Sequence, residues 1–201
     1  MRLRPIGVSA LLLECRDGEE VESWRAELWR RRSAGEFAAV DIVPGARTVL
    51  VNGVDQGISD LLSTWTPAPA GAVADLPVLE IGTNFAGEDL SDVAEQWNIS
   101  PSQAIDRLTG TEFTVAFCGF APGFAYLRGM KIEWSVPRLV APRPRVPAGS
   151  VALAGEYAGI YPTASPGGWR LVGHTTETLF DVRRHPPALL APGTRVRLVA
   201  A

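Results

Sequence analysis

Three glycine- and proline-rich segments in the C-terminal half hold the residue types best suited to chemistry. The first is Gly119-Phe120-Ala121-Pro122-Gly123-Phe124-Ala125-Tyr126-Leu127, where glycine and proline fix an unusual chain path and Phe124 and Tyr126 can wall a cleft; the same string also suits a tight barrel corner with buried rings. The second runs from Pro137-Arg138 through Pro142-Arg143 to Val146-Pro147-Ala148-Gly149-Ser150. There Arg138 and Arg143 present their guanidinium groups together with the Ser150 hydroxyl, and the planar fork of arginine matches a carboxylate or a phosphate. A solvated or subunit-facing basic strip is the other reading. The third is Gly159-Ile160-Tyr161-Pro162-Thr163-Ala164-Ser165-Pro166-Gly167-Gly168-Trp169, continuing to Gly173-His174-Thr175. Gly167 and Gly168 let backbone amides approach a ligand, while Ser165, Tyr161 and His174 supply hydrogen-bonding groups; a rigid hairpin without a ligand is the alternative.

Other signatures are missing. The sequence has no Gly-x-x-x-x-Gly-Lys-Ser/Thr phosphate loop and no Gly-x-Ser-x-Gly elbow, and His174 and His185 alone make no metal constellation. His185, before Pro186-Pro187, is expected in an exposed loop. Cys15 and Cys118 stand far apart, so neither a disulfide framework nor zinc-ligand spacing is visible, and a reducing cytoplasm fits. Cys118 lies among aromatic strand residues, where a buried thiol is the expected state.

Scaffold elements follow from the patterning of the rest of the chain. Of 201 residues, 46% are hydrophobic and 20% charged, which suits one or two packed cores. Ala10 to Leu13 faintly imitates a signal peptide, but Glu14 interrupts the apolar run and no small-residue cleavage site follows; no segment reaches transmembrane length. A strand is predicted at Val8–Glu14, then a helix from the Asp17/Glu20 cap with Val21, Trp24 and Leu28 on one face until Gly35. A hairpin over Ala39–Val43 and Thr48–Asn52 turns at Pro44-Gly45; a helix carries Ile58, Leu61, Leu62 and Trp65; a strand occupies Pro77–Ile81. The order βαββαβ predicts a ferredoxin-like domain over residues 1–82.

Residues 83–201 are predicted to form a helical hairpin followed by a β-barrel. Leu90, Val93, Ala94 and Trp97 share one helix face, and Ser100-Pro101 with Gln103 caps the next helix. This pair imitates a helix-turn-helix, but Glu88, Asp89, Asp92, Glu95 and Asp106 stand against Arg107, a balance that repels phosphate and points away from nucleic acid. Beyond Glu112 short β-rich runs alternate with turns, and 10 of the 16 prolines fall after residue 120. Charge divides in the same place. Residues 1–120 carry 9 basic and 18 acidic side chains, residues 121–201 carry 10 and 4, giving -9 and +6. That asymmetry implies an anionic ligand or acidic partner for the second half, or internal attraction between the two.

The ordered strings Gly119 to Leu127, Val146-Pro147-Ala148-Gly149-Ser150-Val151, Gly159-Ile160-Tyr161-Pro162, Ser165-Pro166-Gly167-Gly168-Trp169 and Pro187-Ala188-Leu189-Leu190-Ala191-Pro192-Gly193 resemble the family of B-type 5-oxoprolinase components, KipI-like inhibitors and the allophanate hydrolase subunit 1 domain. The resemblance covers nearly the whole chain. It implies an α+β protein, a ferredoxin-like domain followed by a cyclophilin-like barrel. It further implies a cytoplasmic heteromeric complex with two partners, a KipA-like or C-type 5-oxoprolinase component and an A-type component. The single chain is expected to be inactive, and neither membrane nor nucleic acid is expected as a partner.

The reaction implied is ATP-dependent opening of 5-oxoproline to L-glutamate, in which a phosphorylated intermediate activates a poorly electrophilic lactam. On that reading His174, Ser165 and Tyr161 are the catalytic candidates. Phe124, Tyr126, Arg138, Arg143, Ser150, Gly167, Gly168 and Trp169 bind substrate, no metal is used, and ATP serves the complex. Leu108, Arg128, His174 and Thr194 replace residues frequent in the family, and histidine at 174 alters the charge offered to an anion. A KipI-like inhibitor of a sensor histidine kinase, and a carboxyltransferase module related to urea carboxylase, are the competing readings; Lys131, the only lysine, lies in no biotin-accepting motif.

Overall fold

The computed structural model describes residues 1–55, 57–69 and 77–201, which separate into two compact units, Met1–Asp75 and Leu76–Ala201. The first contains β1 (Arg2–Ile6), β2 (Ala10–Glu14), α1 (Gly18–Ser33), β3 (Asp41–Pro44), β4 (Thr48–Asn52) and α2 (Ile58–Ser63). Its antiparallel sheet runs β1-β2-β4-β3. Alternation dictates the buried face: Leu11 and Leu13, Ile42, and Val49 and Val51 enter the core with Val21, Trp24 and Leu28 of α1. Asp17 caps α1 by accepting the Glu20 N–H at 2.9 Å, while the Glu20 carboxylate turns back to the Arg16 N–H at 2.7 Å.

The expected βαββαβ order is corrected to ββαββα. β1 lies beside β2, on the sheet edge that the final strand of a ferredoxin-like unit was expected to fill. Its sequence, RLRPI, is mostly exposed and carries Pro5, so it lacks the apolar alternation that announces a strand; polar side chains and proline are features of an edge. The strand expected at Pro77–Ile81 forms as β5 (Val78–Thr83), but it pairs in parallel with the chain's last strand, in the second unit.

That unit continues with α3 (Leu90–Gln96), α4 (Pro101–Thr109), β6 (Glu112–Cys118), β7 (Ala125–Arg128), a 3-10 turn (Ile132–Trp134), β8 (Arg143–Val146), β9 (Ser150–Ala154), β10 (Tyr157–Ile160), β11 (Ser165–Gly167), β12 (Arg170–His174) and β13 (Arg195–Ala200). Seven strands run β12-β9-β10-β7-β6-β13-β5, and the edges nearly meet. Asn84, just past β5, exchanges backbone hydrogen bonds of 2.8 and 2.9 Å with His174, and the Asp89 N–H reaches the Leu171 carbonyl at 2.9 Å. The result is a nearly closed barrel. A side chain at Gly87 would strike the backbone of Leu171 to Gly173, so glycine permits the seam.

The capping box at Ser100 is complete, with the Ser100 hydroxyl accepting the Gln103 N–H at 3.2 Å and the Gln103 side chain accepting the Ser100 N–H at 2.9 Å. Val93, Ala94, Ala104 and Leu108 of α3 and α4 join the barrel core.

β9 explains where the site forms. All five of its residues are buried. Val151 and Leu153 belong to the barrel core, whereas Ala152 and Ala154 belong to a second cluster with Phe124, Val146, Tyr161, Trp169 and Leu171. A strand covered on both faces needs a layer on each, and the second layer includes Val146 of β8, which pairs with β11 in a separate ribbon.

Candidate functional site

The β8–β11 ribbon joins the second and third chemistry-bearing segments, with Val146 opposite Ser165 and Arg143 opposite Gly167. Leu139 N–H also donates to the Gly168 carbonyl at 2.7 Å. The first segment contributes the rings beneath. Phe124 meets Tyr126, Tyr161 and Trp169 edge-on at 5.1, 5.3 and 5.5 Å between centroids, and Tyr126 contacts Trp169 at 5.5 Å. Each such pair contributes roughly 0.5–1.5 kcal/mol beyond the area it buries. Small residues make this packing possible: a methyl at Gly159 would lie 2.9 Å from Phe124 and 3.0 Å from Trp169, and one at Gly167 would overlap the Tyr161 hydroxyl.

Polar groups border the rings. The Tyr161 ring is buried, and burial pushes its hydroxyl above the ordinary tyrosine range despite a hydrogen bond from the Trp169 backbone N–H and the nearby charges of Arg138 and Arg143. The phenol therefore keeps its proton and serves as a donor, not a base. Arg138 is exposed, stacks its guanidinium 5.8 Å from the Trp169 ring centre, and has no carboxylate partner among the described residues. It can accept an anion without breaking an ion pair.

Arg143 is differently placed. One of its terminal nitrogens reaches Asp89 at 2.9 Å and Glu88 at 3.3 Å, and the neighbouring carboxylates raise its pKa further; Nη1 is buried without a partner among the described residues. Asp89 also accepts the Leu171 N–H at 2.7 Å, so Arg143 is tied to the barrel seam. Ser150 is buried at the start of β9, opposite His174 of β12. His174 is exposed, with Nε2 3.0 Å from the Ala148 carbonyl. A carbonyl only accepts, so Nε2 carries the hydrogen and Nδ1 is the nitrogen left to take a proton. Ser165 is partly exposed and its hydroxyl lies 3.5 Å from the Thr163 carbonyl. Gly168 packs beside Leu139 and Pro142. The structure thus unites Phe124, Tyr126, Arg138, Tyr161, Gly167, Gly168 and Trp169. Ser150 and His174 lie along the seam, and Arg143 is held between seam and ribbon.

Two features escaped the sequence. Phe120 is exposed, sits at a positive φ of 68°, and rests its ring on Phe124 and Tyr161 at 5.3 and 6.2 Å. Only its place within a Gly-Phe-Ala-Pro-Gly turn hints at this. Acidic residues between Glu88 and Glu112 supply arginine partners: Asp89 and Glu88, just before α3, to Arg143, Asp92 within α3 to Arg170 at 3.4 Å, and Glu112 at the start of β6 to Arg195 at 2.8 Å. Part of the charge asymmetry is therefore neutralised inside this unit. Cys118 is partly buried with its thiol 3.6 Å from the Leu190 carbonyl, and burial raises its pKa, the opposite of what a nucleophile needs. Among the described residues no group of acidic, histidine or cysteine side chains could hold a metal, and no helix is long and apolar enough to cross a membrane.

The fold class is shared with urea carboxylase of Kluyveromyces lactis, which superposes with a TM-score of 0.69 at 17% identity over 99% of this chain and 21% of that one. TTHA0988 is nearer, with a TM-score of 0.79 and 31% identity over the whole of this chain, which spans 40% of that protein. Residues 1–190 match the family described as carboxyltransferase domain, subdomain C and D. The B-type subunit of 5-oxoprolinase from Escherichia coli O157:H7 is 35% identical over 206 residues, covering 96% of this chain and 93% of its own length. This chain belongs to the carboxyltransferase-domain family that contains the B-type subunits of 5-oxoprolinase.

Proposed function

We propose that the chain is the B-type component of an ATP-dependent 5-oxoprolinase, which with a KipA-like or C-type partner and an A-type partner opens 5-oxoproline to L-glutamate. The observation that carries the reading is the Arg138 guanidinium, without a carboxylate partner among the described residues and stacked on Trp169, in the same ring cluster as the proton-bearing Tyr161 hydroxyl. 5-Oxoproline is a small ring bearing one carboxylate and one amide. Arg138 takes the carboxylate, the rings of Tyr126 and Trp169 border the carbon skeleton, and Tyr161 with the amides near Gly167 and Gly168 donates to the amide oxygen, where negative charge collects as water adds to the carbonyl carbon and from which it departs when the C–N bond breaks. His174, through Nδ1, is the candidate base, and Ser165 and Ser150 shape the rim and floor.

ATP does not fit the residues present. The sequence has no Gly-x-x-x-x-Gly-Lys-Ser/Thr loop to cradle a triphosphate, and Arg143 is already engaged by two carboxylates. ATP binding therefore falls to other members of the assembly, and the chain works within a cytoplasmic complex and is inactive alone. The test is co-expression with both partner proteins and an assay of ATP-dependent glutamate formation. Turnover that disappears when this chain is omitted supports the proposal; an intact three-component complex that releases no glutamate refutes it.

A further inference from the structure

The segment joining β6 to β7 contains an unusual backbone. Ala121 N–H donates to the Gly119 carbonyl at 2.8 Å across Phe120, whose φ is 68°. A two-residue hydrogen bond around a positive φ is the rare, strained kind of γ-turn, and a bulky side chain at its centre is an outlier. Neighbouring bonds hold it in place: Gly119 N–H to the Phe124 carbonyl at 3.2 Å and Phe124 N–H to the Ala121 carbonyl at 2.9 Å. Glycine would adopt this turn without strain and already occupies Gly119 and Gly123 nearby. The residue gains little burial in exchange, since Phe120 is 62% exposed.

Its neighbours account for that cost. The ring lies edge-on to Phe124 and Tyr161, both almost wholly buried, so Phe120 is the exposed member of the cluster that carries Arg138 and the Tyr161 hydroxyl. We infer that Phe120 is a specificity-determining residue of this site: its strained turn holds the ring as an aromatic cover over the uncharged face of a small cyclic carboxylate whose anionic group is taken by Arg138. The inference rests on the 5-oxoprolinase reading and adds to it the residue that selects a flat ring over an open-chain carboxylate. Strain is tolerated because the ring must be placed before substrate arrives, a cost recovered only on binding.

Glycine and alanine substitutions separate this role from packing. Phe120→Gly removes the ring and relieves the turn; Phe120→Ala removes the ring and keeps the strain. In the assembled three-component enzyme, Phe120→Gly is expected to keep a higher melting temperature than Phe120→Ala and to retain both partners in a pull-down. It should raise KM for 5-oxoproline about tenfold, the loss anticipated for one aromatic contact of the stronger kind. Phe120→Tyr should restore KM. An unchanged KM in Phe120→Gly overturns the inference, as does loss of a partner protein, which places Phe120 in an interface of the assembly. A lowered melting temperature in both variants with KM unchanged overturns it too, by making the ring a packing element. Wild-type turnover is measured in parallel: its absence rejects the proposed function itself, whereas its presence with an unaffected Phe120→Gly rejects only the role of Phe120.

Discussion

Replacing Asp89 with alanine should open the barrel seam. Asp89 is 4% exposed and its two oxygens serve different masters, one accepting the Leu171 N–H at 2.7 Å and the other the Arg143 guanidinium at 2.9 Å. Removing one partner of a buried pair costs about 3–5 kcal/mol when the remaining charge has no substitute. Glu88 still approaches the same nitrogen at 3.3 Å and Arg143 is 21% exposed, so the electrostatic part falls to the lower end or below. The orphaned Leu171 N–H contributes about 1–3 kcal/mol of its own. Together a loss of about 3 kcal/mol is expected for Asp89→Ala, and about half of that for Asp89→Asn, which keeps an acceptor for Leu171. Hydrogen exchange resolved by residue reads the effect where it acts: the Leu171 amide should lose protection in the alanine variant and keep most of it in the asparagine variant. Stability within about 0.5 kcal/mol of wild type, with Leu171 exchange unchanged, would refute the assignment of Asp89 as the clamp of the seam.

Gly167→Ala should destabilise by roughly 1–3 kcal/mol, because the new methyl overlaps the Tyr161 hydroxyl. Combining it with Tyr161→Phe should recover part of the loss in urea unfolding, and strict additivity would contradict the contact. Burial pushes the Cys15 thiol from 9.0 up to about 11. The native state then holds a proton that the unfolded chain gives up above its own pKa, so stability is full below 9.0 and falls as pH rises towards about 11. Urea midpoints over that window should decline more steeply for wild type than for Cys15→Ala; parallel profiles would count against burial of the thiol.

Local chemistry makes some elements legible and topology hides others. The Ser100 capping box, the Asp17 cap and the hairpin at Pro44-Gly45 depend on residues a few positions apart, so sequence shows them directly. β5 also shows as a strand, but its partner β13 lies more than a hundred residues away, and nothing local to Val78–Thr83 announces that pairing. β1 is hidden for the reverse reason, since an exposed edge strand needs no apolar alternation. In the site, the aromatic and glycine residues are readable because they crowd three short strings. Whether an arginine is free or paired is not: Arg138 and Arg143 look alike in sequence, and only the return of Asp89 and Glu88 to the ribbon distinguishes them. The role of Phe120 stays hidden because backbone strain has no one-residue signature.

ATP-dependent release of glutamate from 5-oxoproline, by this chain purified together with its two partner proteins, tests the central claim most directly. The expected result is turnover that requires this chain and whose KM rises at least about tenfold in Arg138→Ala, the loss of one charge-assisted contact, while the three components still co-purify. An intact complex without glutamate release, or one whose KM ignores Arg138, would contradict it.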